Sequence, residues 1–261
     1  MRRRRRTIPR GLRRGISIRQ VAPNAVTAIA LCFGLTGVRY ALDGRWEMAV
    51  GAVILAGVLD GLDGRIARML RGESRFGAEL DSLSDNIAFG VAPALILYLW
   101  SLQYMPKFGW IIALAHALMC ALRLARFNAA IDNDDQPHKS AGFMTGVPAP
   151  SGAGLAFVPL YCWFITGEEL FRQWYVVAPW TAFVAFLMIS NLATFSWGAL
   201  RIRRNIRLEV IAVVGLLAAS LLTVPWFTLL VISLIYLVLI PMGALSYRKV
   251  RRALSDEVSS H

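Results

Sequence analysis

Residues 51–100 read GAVILAGVLDGLDGRIARMLRGESRFGAELDSLSDNIAFGVAPALILYLW. Both ends of this stretch are apolar enough for lipid, yet its middle carries four aspartates, Asp60, Asp63, Asp81 and Asp85. The flanks decide the fold. A membrane-crossing helix needs about 20 largely apolar residues. The 261-residue chain, 57% hydrophobic, offers eight such runs: 23–42, 46–68, 77–100, 108–130, 146–166, 174–197, 206–222 and 226–247. Strands of a membrane barrel would alternate in polarity, and these runs do not. The expectation is an all-α polytopic membrane protein.

The formal charge of +12 would suggest a nucleic-acid partner in a soluble chain, but its distribution follows the helices. With the N-terminus in the cytoplasm, 24 of the 28 Lys and Arg fall on inner segments. Only Arg39, Arg45, Lys107 and Arg172 fall outside. This is the positive-inside pattern, and it implies an even number of spans, both termini cytoplasmic and no nucleic acid. The start, MRRRRRTIPRGLRRGISIRQ, is expected to lie against anionic headgroups rather than to be a cleaved signal, because the apolar run after it is too long. The chain thus divides into a basic juxtamembrane segment (1–22), a transmembrane domain of about eight helices (23–247) and a cytoplasmic tail (248–261). Cys32, Cys120 and Cys162 all fall within spans without metal-ligand spacing, and are expected to pack as buried apolar thiols.

The aspartates arrange themselves by helical spacing. Asp60 and Asp63 share one face near the inner end of the second run, as do Asp81 and Asp85 at the start of the third, with Gly77 one turn before them. The linking RMLRGESRF is short, so the two helices are expected to be antiparallel neighbours with facing carboxylate pairs. A charged side chain at the bilayer centre costs about 2.5–3.5 kcal/mol even on the lenient scale. Four carboxylates therefore need compensating positive charge. Oxygen-only donors suit Mg²⁺ or Mn²⁺, and no His or Cys stands close enough to suggest zinc. Two such ions would clamp a diphosphate. Gly64 and Ala67, one turn beyond Asp60 and Asp63, keep the helix face shallow enough for a flat nucleotide. Arg68 is placed to meet phosphate or to snorkel toward headgroups. Intramembrane carboxylates also mark cation transporters, but here the acids cluster at one end and no acidic path continues outward.

The pattern Asp60-x2-Asp63-Gly64-x2-Ala67-Arg68-x8-Gly77-x3-Asp81-x3-Asp85 resembles, at every fixed position, the signature of CDP-alcohol phosphatidyltransferases. The resemblance implies that Asp60, Asp63 and Asp81 hold a pair of divalent ions. It implies that Gly64, Ala67, Arg68 and Gly77 line the CDP site, and that Asp85 touches metal and acts as base on the incoming alcohol. A six-helix core follows from it too, usually in a homodimer, with the last two runs as additions. The opening APNAVT (22–27) is similar to the family's Pro-Asn-x-x-Thr start, so Asn24 and Thr27 are expected at the bound nucleotide lipid.

Three further segments speak to the acceptor: DSLSDNIAFGVAPA (81–94), ALRLARFN (121–128) and GFMTGVPAPSGAG (142–154). They resemble the bacterial and archaeal phosphatidylserine synthases of that family, with Ala88 where serine is frequent. The implied reaction is transfer of a phosphatidyl group from CDP-diacylglycerol to L-serine, at the cytoplasmic side of a prokaryotic inner membrane. Glycerol 3-phosphate, inositol or inositol phosphate remain alternative acceptors. Arg123 and Arg126, three apart near the inner end of the fourth run, can neutralise a lipid phosphate or grip the carboxylate of serine. Asp132, Asp134, Asp135 and His138 in the next loop read as solvated surface.

Overall fold

The computed structural model describes residues 18–70, 74–131, 143–190, 193–195 and 207–241. Expectations for the arginine-rich start, the acidic loop around Asp134 and the tail fall outside these residues. Among the described residues the helices are α1 (Ile18–Leu42), α2 (Trp46–Leu70), α3 (Arg75–Trp100), α4 (Gly109–Ile131), α5 (Ala149–Thr166), α6 (Trp174–Ile189), α7 (Arg207–Thr223) and α8 (Pro225–Pro241). Each matches one of the apolar runs. Four are long and apolar enough to cross a membrane: α1 from Val21, α3, α4 to Ala129, and α5. Helix α2 is as long as α1 but carries Glu47, Asp60, Asp63, Arg65 and Arg68. Helices α6, α7 and α8 are apolar but shorter.

The sixth run ends earlier than its hydropathy suggests. Ser190 turns extended (ψ 154°), closing α6 at Ile189, and Ala193–Phe195 forms a strand, β2, paired antiparallel with β1 (Phe143–Thr145). This small ribbon is a departure from an all-helical chain. Gly146 makes the junction possible. Its φ is +75°, and a Cβ there would lie 2.7 Å from the Met188 carbonyl and 2.9 Å from that of Ser190, so only glycine fits.

Helix α1 is the spine of the N-terminal half. It packs along α2 and also against α3, through glycines that remove side-chain bulk. A Cβ on Gly37 would sit 2.8 Å from the Ala49 carbonyl oxygen, and one on Gly34 would sit 2.8 Å from Ala88 Cα. Helix α3 is not uniform. It runs α-helical from Arg75 to Asp85, widens to a π-helix over Asn86–Val91, and resumes as α-helix at Ala92. Pro93 has no N–H to return to Phe89, so the ordinary hydrogen-bond register breaks there, and the π turn absorbs the mismatch.

The core lies around Phe89, Ile96, Leu97, Trp100, Phe157, Leu160 and Tyr161, all essentially inaccessible. Helix α8 closes it from the C-terminal side. Trp226 stacks on Tyr161 (centroids 6.4 Å apart, 19°) and packs on Phe164, while Ile240 is buried. Helix α7 leaves Leu208, Ile211, Leu216 and Leu222 exposed, as a lipid-facing helix would. Of the cysteines, Cys120 is buried and Cys162 partly so, but Cys32 lies on an exposed face, so only part of that expectation holds.

Candidate active site

The aspartates converge, though by a route the spacing alone does not reveal. Helices α2 and α3 touch along the π turn and beyond it. Toward the start of α3, each leans on α1 instead. The gap left between them is a cavity of about 150 Å³. Helix α1 lines it with Pro23, Asn24 and Thr27, α2 with Asp63, Gly64 and Ala67, and α3 with Gly77, Ala78, Asp81 and the preceding Ser74.

Within this cleft, one carboxylate oxygen each from Asp60, Asp63 and Asp81 lies within 4.8 Å of the others. The Asp60 and Asp85 carboxyls also interact with each other, and like charges so placed call for a cation between them. All donors are oxygens and no His or Cys joins the group among the described residues. Such a set fits a hard divalent ion, Mg²⁺ or Mn²⁺. Asp63 is the most enclosed, 4% exposed, and its Oδ2 accepts a 2.7 Å hydrogen bond from the Thr27 hydroxyl. Ser84 Oγ donates to the Thr27 carbonyl at 3.1 Å, tying α3 to the same turn of α1. Thr27 thus fixes the rotamer of one carboxylate, the usual task of a partner behind a metal ligand.

The small residues act as spacing requires. A Cβ on Gly64 would meet nothing within 4 Å, so that wall is open. One on Gly77 would meet Asn24 Oδ1 at 2.9 Å and Ser74 Oγ at 3.1 Å. Glycine therefore lets Asn24 reach across to α3. Ser74 caps α3, its Oγ accepting from the Gly77 N–H at 3.0 Å. Ser74 and Ser84 escape a reading of the motif, although serine just before a helix is a recognisable N-cap signal.

The arginines divide. Arg68 is exposed at the rim, its Nε donating to the Gly64 carbonyl at 3.0 Å. Arg126 donates to the carbonyls of Ile189 (3.0 Å) and Ser190 (3.3 Å), capping the end of α6. Arg123 is 8% exposed and stands within electrostatic range of Asp85. The structure therefore brings Asn24, Thr27, Asp60, Asp63, Gly64, Ala67, Gly77, Asp81 and Asp85 together, buries Arg123 on α4 within electrostatic range of Asp85, and ties Arg126 to the end of α6.

The family model described as CDP-alcohol phosphatidyltransferase matches residues 20–197. A second, CDP-alcohol phosphatidyltransferase 2, matches 205–241, the last two helices. A protein named CDP-diacylglycerol–serine O-phosphatidyltransferase in Mycobacterium tuberculosis is 37% identical, over 92% of this chain and 83% of its own length. Proteins of the same name in Mycobacterium leprae (35%, over 88% and 76%) and Helicobacter pylori (32%, over 74% and 79%) are also similar. With the motif's carboxylates gathered at one cleft and these matches covering most of the sequence, the chain belongs to the CDP-alcohol phosphatidyltransferase family.

Proposed function

We propose that this protein transfers the phosphatidyl group of CDP-diacylglycerol to the hydroxyl of L-serine, giving phosphatidylserine and CMP. The observation that carries the reading is the convergence of carboxylates from α2 and α3 beside a cavity walled by small residues. A nucleotide headgroup fits beside Gly64, Ala67 and Gly77, with Asn24 at its edge, while the acyl chains stay in lipid.

Asp60, Asp63 and Asp81, with Asp85 at the margin, would hold Mg²⁺ or Mn²⁺, in the two-ion arrangement that the resemblance implies. When bound, such ions offset the charge of the diphosphate and of the departing CMP. The chain's own residues do the rest. Asp85 accepts the proton of the serine hydroxyl as the oxygen attacks the lipid-side phosphorus. The new P–O bond forms as the bond to the CMP oxygen breaks, and CMP leaves with the electron pair. Thr27 holds Asp63 in orientation, and Arg123 offers a cation to the serine carboxylate. Phosphoryl transfer depends chiefly on such positioning and charge stabilisation. We place the site on the cytoplasmic side of a prokaryotic inner membrane, on the strength of the Lys/Arg asymmetry. The proposed assembly is the homodimer that the resemblance implies.

The test is reconstitution of the purified protein with CDP-diacylglycerol and one radiolabelled alcohol at a time: L-serine, glycerol 3-phosphate, inositol or inositol phosphate. Labelled lipid should form with serine, with CMP released in equal amount, and chelation of divalent ions should stop it. Labelling by another alcohol instead of serine refutes the acceptor. Ion flux in sealed vesicles without CMP release would point to a transporter.

A further inference from the structure

Outside the nucleotide cavity, α4 presses on the π turn that follows Asp85. A Cβ on Gly90 would lie 2.9 Å from Cys120 Cβ and 3.0 Å from Asn86 Oδ1. Glycine at 90 therefore lets the Asn86 side chain fold back against α4. One turn along α4 from Cys120 comes Arg123, which lies within electrostatic range of both Asp85 and Tyr236 on α8. Asp85 is in turn within such range of Cys120. Asp85 and Asn86, at the start of the π turn, thus lie on the part of α3 that packs against α4, the helix that carries Arg123.

Two atoms in this region are buried with no hydrogen-bond partner, Asn86 Oδ1 and Arg123 Nε. Buried polar groups left unsatisfied are costly and few in folded proteins. These two have opposite polarity, since Asn86 Oδ1 can only accept and Arg123 Nε can only donate. A glycerol or inositol phosphate would bring the Asn86 oxygen only a neutral hydroxyl donor, whereas the ammonium of an amino acid brings a charge-assisted one. A zwitterionic amino acid offers each atom a charged partner, its ammonium for the one and its carboxylate for the other, and leaves its β-hydroxyl free for Asp85.

We propose that Asn86 and Arg123 form a two-point clamp for the acceptor, Asn86 taking the ammonium and Arg123 the carboxylate, and that Asn86 is the residue that selects an amino acid over an anionic alcohol. The inference rests on the transfer reaction proposed above. No atom of Asn86 belongs to the metal-binding motif, and its role is to orient and select.

Steady-state kinetics with purified full-length protein test this. Asn86→Ala should raise the serine KM about 10- to 100-fold, the range for a lost hydrogen bond to a charged group. The KM for CDP-diacylglycerol should stay within about twofold of wild type. Asn86→Asp, isosteric and still an acceptor, should recover most of the serine affinity. Glycerate, which has a neutral hydroxyl in place of the ammonium, should compete with serine at least about tenfold more weakly than expected from the serine KM in wild type, and should lose less than serine does on Asn86→Ala. A serine KM unchanged by Asn86→Ala overturns the clamp, as does a parallel rise in both KM values. Should the alanine variant not fold, wild type alone decides, because glycerate competing as well as serine also overturns it. Absence of any serine transfer by wild type would instead sink the underlying reaction, a distinct result.

Discussion

Replacing Thr27 with valine removes one hydroxyl and little else. In the native chain that hydroxyl lies 2.7 Å from Asp63 Oδ2, with Thr27 5% and Asp63 4% exposed, so water cannot easily take its place. A hydrogen bond to a charged group contributes about 1.5–3 kcal/mol, equivalent to about 10- to 150-fold in an equilibrium constant. Loss of the partner behind a metal-ligating side chain costs about 10- to 100-fold in metal affinity or activity. The two routes agree on about 10- to 100-fold. The assay is the Mn²⁺ or Mg²⁺ concentration that gives half-maximal CMP release, measured on purified protein with saturating CDP-diacylglycerol and serine. Thr27→Val should move that concentration upward by this factor, and Thr27→Ser should restore it. The Ser84 hydrogen bond goes to the Thr27 backbone carbonyl, so that tie between α3 and α1 survives, and the fall in melting temperature should be no more than the lost Asp63 bond accounts for. An unchanged metal requirement would refute the reasoning. If the KM for CDP-diacylglycerol rose in its place, Thr27 would be a nucleotide contact and not the orienter of Asp63.

Three further outcomes are expected. Asp85→Asn should lower turnover by about 10²- to 10⁴-fold, the usual worth of a general base, with thermal stability retained, and single-turnover CMP release would reveal any residual step. Gly64→Leu should leave the melting temperature unchanged, because a side chain there meets open space, yet raise the KM for CDP-diacylglycerol by roughly tenfold or more as it fills the cleft. Gly34→Ala should behave oppositely. Its Cβ would lie 2.8 Å from Ala88 Cα, and backbone cannot swing aside, so a loss of about 1–3 kcal/mol from overpacking should appear in thermal unfolding.

Much of this protein is legible in one dimension because the bilayer is a harsh solvent. Every backbone polar group within it must be satisfied inside its own helix, so each of the eight helices among the described residues falls on an apolar run, although only four are long and apolar enough to cross by length and composition. The spacing of Asp60, Asp63, Asp81 and Asp85 likewise follows from helical periodicity, which puts residues three and four apart on one face. Relations between helices were not available that way. Helix α1, and not direct contact between α2 and α3, shapes the mouth of the cleft, because Gly34 and Gly37 let it approach both neighbours. The partner of Asp63 is Thr27, 36 residues away. Arg123 and Arg126 look alike in the sequence, yet one is buried within electrostatic range of Asp85 and the other holds the end of α6. Asn86 acquires significance only because the π turn and Gly90 fold it against α4. Periodicity specifies which face of a helix a residue occupies, whereas its partner depends on how closely two helices approach, and that is decided by packing.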